Sequence, residues 1–178
     1  MTQAAIELFA WADVPEVDRR RLAEMDHQVD WGTPPGVAPL QFGGPSDWRI
    51  VVRESGQIVT TVEILEREVL VGRKAPVVAG IAGVMTAAAY QQRGHASGAM
   101  RRAAEFLIEE RDMVFALLVC WPSRVSFYQR LGWRVHDGQV LCEQPGGKIV
   151  IDRMQTMVLD GNQCPLPGIR LDLQGLPW

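Results

Sequence analysis

The residues from Ile81 to Met100 constrain this chain more than any others. An apolar, strand-like run from Ile81 to Met85 gives way to the turn Gln91-Gln92-Arg93-Gly94-His95-Ala96-Ser97-Gly98, and an amphipathic helix is expected to begin near Ser97. Small residues at a helix start leave several backbone N–H groups pointing one way, with the positive end of the helix dipole behind them. Such a turn binds phosphate. The expected ligand is a diphosphate, with Arg93 nearby to add positive charge. The dinucleotide fingerprint G-x-G-x-x-G and the P-loop G-x-x-x-x-G-K-[ST] are both absent, so neither of those phosphate sites is present.

Further signals lie downstream in chain order. Phe115-Ala116-Leu117-Leu118-Val119-Cys120 is continuously apolar and reads as a strand buried on both faces. Pro122 breaks it, and Ser123 is placed to cap a short helix. Val125, Phe127, Tyr128 and Leu131 fall at helical spacing, and Gly132 supplies a left-handed stop.

The spacing Gln91-x-x-Gly94-x-Ala96, between a strand and a helix, resembles the pyrophosphate loop of the GNAT superfamily of N-acetyltransferases. Phe127-Tyr128-Gln129-Arg130-Leu131-Gly132-Trp133 is similar to the FY-x-x-x-GF/W signature of the same superfamily. The resemblance implies acetyl-coenzyme A as the acetyl donor. It implies an α+β single-domain GNAT fold over residues 1–178, in which a central mixed, mostly antiparallel sheet splays around acetyl-CoA between flanking helices. Implied cofactor contacts are Gln91, Gln92, Arg93, Gly94, His95, Ala96 and Ser97 in the loop, and Ser123 and Phe127 by the short helix. The backbone of Val84, Met85 and Thr86 is expected to bind the pantetheine arm. Tyr128 is expected beside the thioester sulfur. Expelling a thiolate, whose conjugate acid has a pKa near ~8.5, is eased by a phenol of pKa ~10 that is still protonated at neutral pH. Tyr128 is therefore the candidate general acid, a role generally worth about 10²–10⁴-fold.

The end of the chain, Leu159 through Leu176-Pro177-Trp178, is similar to that of the aminoglycoside 2′-N-acetyltransferases. In that branch a terminal tryptophan and its carboxylate reach the sugar cleft, so the resemblance implies that the tail 159–178 reaches the substrate and that Trp178 binds it. One position departs from the branch: Ala82 stands where an acidic residue helps receive the amine. That departure points away from polycationic antibiotics and toward kasugamycin, which carries fewer amines. It leaves the general base open among Asp26, Asp30, Asp47, Glu63, Glu66, Glu68 and a water chain. The irregular stretch 26–47, rich in proline and glycine, is expected as a loop on the substrate side. Asp30 and Trp31 within it, together with Trp121, are candidate cleft residues. The competing expectation is that Pro177-Trp178 merely pins the tail, and another small amine, polyamine or peptide N-terminus remains the alternative acceptor.

Composition removes other classes. With 178 residues, 47% hydrophobic, the chain has enough apolar side chains for one core. A net charge of −3 and a single dense basic run, Arg19-Arg20-Arg21, argue against nucleic acid. No window is long and apolar enough for a membrane span, and no basic-then-apolar leader stands at the start. Cys120, Cys142 and Cys164 are far apart and odd in number, so reduced thiols in a cytoplasmic protein are expected. His27, His95 and His136 show no metal-ligand spacing, so no metal is expected. A homodimer is implied only by resemblance.

Overall fold

The computed structural model describes residues 4–28, 39–163, 165 and 167–178. Asp30 and Trp31, and with them residues 29–38 of the expected substrate-side loop, lie outside the described residues, as does Cys164.

Strand β1 (Ala5–Ala10) leads through a short turn into helix α1 (Glu16–Gln28). Arg19 fastens that turn, donating from Nε to the Val14 carbonyl at 2.9 Å and from one terminal nitrogen to the carbonyls of Trp11 and Ala12. The basic run is thus partly structural, with Arg20 and Arg21 paired to Glu16 and Glu24 on the helix surface.

A hairpin comes next: β2 (Trp48–Glu54) and β3 (Gln57–Glu68). Its turn residues Ser55 and Gly56 both have positive φ, 52° and 80°, matching the right-handed twist that a two-residue turn must carry. The short β4 (Leu70–Val71) precedes β5 (Val77–Thr86), and α2 (His95–Glu105) starts two residues before the expected Ser97. Then come β6 (Phe115–Cys120), α3 (Val125–Gln129), β7 (Arg134–Val135), β8 (Val140–Gln144), β9 (Gly147–Val150), β10 (Gln155–Asp160) and β11 (Leu171–Asp172).

Among the described residues the strands form two sheets. The larger runs β1-β2-β3-β5-β6-β10-β7 and the smaller β4-β11-β8-β9. All pairings in the large sheet are antiparallel except β5 with β6. The α+β architecture expected from the sequence is what forms. The stretch from Trp133 to Gln144 is divided between two strands, β7 and β8, one in each sheet. His136 ends the first, its ring Nε2 lying 2.8 Å from the Ile169 carbonyl, and Gly138 passes so close to the 168–169 backbone that a Cβ would overlap it.

Strand alternation sorts the core onto two faces. On one, α2 and Tyr128 of α3 pack over Ile50, Val52, Val62, Ile64, Ala79, Ile81, Ala116 and Leu118. On the other, α1 covers Val51, Ile58 and Met85. Further along that second face, Leu65, Val78 and Leu117 meet β8, β11 and the end of the chain. No described helix is long and apolar enough to cross a membrane.

Candidate active site

The site arises where β5 and β6 part. They pair in parallel at Ala79–Ala116, Gly80–Leu117 and Ile81–Leu118, and their pairing ends there. Beyond Ile81, β5 stays with β3, and beyond Leu118, β6 stays with β10. The local cause is a bulge. Thr61 pairs with Met85 and Glu63 with Ala82, so Gly83 and Val84 oppose the single residue Val62. Gly83 takes φ of 53°, a left-handed conformation natural to glycine. An extra residue in one strand increases its twist and turns β5 away from β6. The side of Val84, Met85 and Thr86 that faces the opening is left without a partner strand, as an extended ligand requires.

The turn after β5 lies at the end of this opening. Gln91 donates from Nε2 to the Thr86 carbonyl at 3.2 Å, tying the turn back to the strand. Gln92 and Gly94 both have positive φ, 61° and 82°. Gly94 is the N-cap residue of α2, without a side-chain cap. The first N–H groups of the helix, at His95, Ala96 and Ser97, therefore have no acceptor within it. A Cβ on Gly94 would meet nothing within 4 Å, so open space lies over the turn. These features fit a diphosphate. The turn's side-chain cations are less available than the sequence implies. Arg93 is bound to Glu54 at 3.1 Å and to the Ala89 carbonyl at 2.9 Å, and His95 Nε2 lies 2.8 Å from the other Glu54 oxygen. Glu54, which sequence reasoning passes over, thus answers both.

Tyr128 lies on the face of the sheet that α2 covers. It is almost fully buried, with Phe127 edge-on at 5.0 Å and Trp133 at 6.4 Å between ring centres. Burial, and secondarily Cys120 of β6, push its phenol well above the ordinary value, with Arg124 pulling weakly the other way. The phenol therefore stays protonated across the neutral range, as an acid must. The Cys120 thiol is pushed up to about 11 by burial and is no nucleophile at neutral pH. Ser123 does not act as the expected cap: it sits inside the 3₁₀ turn Pro122–Arg124, which has no side-chain cap. Trp121 stands half-buried just past β6, at the end of the opening.

Trp178 requires a correction. Rather than offering a stacking face to a ligand, its indole is buried, 3% exposed. Its Nε1 donates to the Leu117 carbonyl at 3.1 Å, and the Arg67 guanidinium lies 3.9 Å from the ring centre. The ring occupies the space over Gly80, where a Cβ would come within 2.2 Å of it. Burial of a large aromatic against a backbone with no side chain is favourable, and it pins the tail. Arg67, itself desolvated, has its pKa lowered to about 10 and donates to the Leu176 carbonyl.

A polar group occupies the same face where the strands open. Glu63 of β3 stands opposite Ala82 of β5. It accepts from Arg49 at 2.8 Å and from the Ser46 hydroxyl at 3.0 Å. Glu66, by alternation, is on the other face, bound to Arg111 and Trp48. Among the described residues no group of three or more His, Cys, Asp or Glu side chains is placed to hold a metal ion.

A splayed parallel strand pair with an open, uncapped helix start after it offers room for an extended, phosphate-bearing ligand, and comparison gives the family. The chain belongs to the acetyltransferase (GNAT) domain family, whose model matches residues 41–136. The match ends before the smaller sheet is complete and before Trp178. Solved structures share the fold. YhbS of Escherichia coli, a GNAT family N-acetyltransferase solved in complex with CoA, is 18% identical, with 98% of this chain and 91% of that one covered at a TM-score of 0.58. Escherichia coli ElaA is 16% identical over 89% of this chain and 100% of its own, TM-score 0.60. A GCN5-related N-acetyltransferase from Kribbella flavida is 19% identical over 76% of this chain, TM-score 0.55, and the match spans only 34% of that longer protein. No curated protein sequence matches the chain.

Proposed function

We propose that the chain transfers the acetyl group of acetyl-CoA directly to a primary amine. The observation that carries this reading is the opening between β5 and β6, with the turn 91–97 after β5 and Tyr128 packed in one cluster with Ile81 and Leu118, the last paired residues of the two strands. In this reading the α2 N–H groups and Gly94 receive the diphosphate, Val84 to Thr86 offer their unpaired backbone edge to the pantetheine arm, and Phe127 packs beside it. Tyr128 donates its proton as sulfur gains charge. Acetyl-CoA supplies the activated thioester, and the protein supplies position and protons.

For the acceptor we propose the 2′-amine of an aminoglycoside, kasugamycin before the polyamines of the class. Ala82 leaves the β5 side of the cleft without a carboxylate, which suits an acceptor with few amines. The burial of Trp178 favours a second reading, a different small amine or a peptide N-terminus, because the indole is not available to stack on a sugar. An acetyl-CoA consumption assay over kasugamycin, deoxystreptamine aminoglycosides, spermine and peptides with free N-termini separates these. Turnover of kasugamycin is expected. Turnover confined to spermine or peptides replaces the antibiotic reading, and turnover of none removes acetyl transfer to amines of these classes.

A further inference from the structure

The acceptor's ammonium group must lose a proton before its nitrogen can attack, and β5 offers only Ala82 at the mouth of the opening. We propose that Glu63, reaching over from β3 and held by Arg49 and Ser46, receives the acceptor's ammonium group and takes its proton. This rests on the acetyl-transfer reading above.

Placement is the first support. Glu63 faces Ala82 directly across the β3–β5 ladder, at the first β5 residue beyond the last pairing with β6. Its side chain lies over Gly83: a Cβ at that glycine would be 2.6 Å from Oε1 and 2.7 Å from Cγ. Gly83 thereby serves both the bulge and the carboxylate, and any larger residue would displace the acid. Val62 and Ile64 pack toward α2 and Tyr128, so alternation puts Glu63 on the opposite face. Base and acid then stand on opposite faces of the sheet, so the two proton transfers are handled by separate groups.

The second support is how the carboxylate is held. Arg49 is 6% exposed, directly across from Glu63 on β2, and donates to it at 2.8 Å. Ser46 donates to the second oxygen at 3.0 Å and accepts from Arg49 at 3.4 Å, closing a triangle. Arg49 is also 4.9 Å from the Trp11 ring centre. Its Nε is buried with no hydrogen-bond partner. A buried cation with an orphaned donor is a poor choice for stability, since apolar residues of similar size serve as well or better. What the arrangement secures is an oriented carboxylate, a quarter exposed, on this face where the strands open.

Protons and electron pairs balance in the transfer. The acceptor arrives as an ammonium ion and gives one proton to Glu63, which later yields it to solvent. The freed nitrogen forms the C–N bond as the C–S bond breaks. The departing thiolate takes the Tyr128 proton, and the second nitrogen proton, lost through solvent, restores the phenol. One proton is released overall, with an amide and a thiol as products.

The test uses the full chain with acetyl-CoA and the amine panel, together with calorimetric titration of CoA and of each amine into the CoA complex. Glu63→Gln is expected to lower kcat/KM for the best amine by about 10²-fold or more, with CoA affinity unchanged. Because that variant strands Arg49, the double variant Arg49→Met with Glu63→Gln removes both partners and is expected to show the same loss. Adding Ala82→Glu to Glu63→Gln returns a carboxylate from the facing position and is expected to restore part of the rate. A purely structural Glu63 would not be rescued in this way. A folded Glu63→Gln protein that acetylates at the wild-type rate overturns the proposal and leaves acetyl transfer standing. A wild-type protein that binds CoA but neither binds nor acetylates any amine overturns both.

Discussion

The two sides of the opening between β5 and β6 are built in different ways. The side proposed for the cofactor is local: the turn, the start of α2, the end of β6 and Tyr128 all fall within residues 91–128, and the roles proposed for them rest on backbone geometry and one phenol. The side proposed for the acceptor is assembled from afar. Ser46 and Arg49 come from the start of β2, Glu63 from β3, Ala82 from β5, and the tail reaches Gly80 and Leu117 across 61 residues of sequence. Local construction fixes a site for a donor common to a whole family. Distant construction lets the acceptor side change piece by piece, and this is where the chain departs from the pattern it resembles.

The largest effect tests the local side. Gly94→Glu is expected to abolish measurable CoA binding, because it places a negative side chain in the open space over the α2 N–H groups. The same change strains a residue at φ of 82°, yet its cost in stability is expected to be only about 1–2 kcal/mol. A thermal melt beside a CoA titration distinguishes lost binding from lost fold. Tyr128→Phe comes next, with turnover down about 10²–10⁴-fold and CoA affinity kept. An equal loss of binding in the Tyr128 variant would show that the tyrosine holds the ligand rather than serving as its acid.

Trp178→Ala tests the distant side. If the indole is core, stability is expected to fall by about 3–5 kcal/mol, as for other buried tryptophans. Gly80→Val is then expected to destabilise through the same contact, since the ring already fills the space over that glycine. If Trp178→Ala instead raised KM for the amine with the melting temperature unchanged, the cleft role expected from the tail would be restored.

The local side is legible in the sequence because its signals are contiguous. Strand, turn and helix around Gly94, and the run from Phe115 to Trp133, carry their meaning within a few residues. The tail is read by resemblance, and resemblance is silent about packing. A signal does exist: Gly80 stands within the buried run Val78-Ala79-Gly80-Ile81, and a glycine inside a strand marks the close approach of another group. Nothing in the sequence names Trp178 as that group. Glu63 is visible as an acid between Val62 and Ile64, but so are Glu66 and Glu68 nearby. Only the register, which sets Glu63 against Ala82 and puts Glu66 on the other face with Arg111, separates them. The smaller sheet escapes sequence reading because β4 and β11 are two residues each, too short for any periodicity.

The smallest predicted effect asks whether side chains or backbone dominate the cofactor side. Arg93 is the obvious cation of the turn, but its guanidinium is half-exposed and already engaged by Glu54, which also answers His95. Transferring Arg93 from a carboxylate to a diphosphate exchanges one partner for another, so little net attraction is gained, and salt screens what remains. Arg93→Ala is therefore expected to weaken CoA binding by several-fold at most, about 1 kcal/mol or less, and to leave turnover at saturating acetyl-CoA unchanged. Glu54→Gln should move the other way, freeing Arg93 and tightening CoA slightly at low ionic strength. Titrations at two salt concentrations check both. Loss of binding in Arg93→Ala as complete as in Gly94→Glu would transfer the main role from the helix N–H groups to the guanidinium, and would remove the claim that the local side is built from backbone.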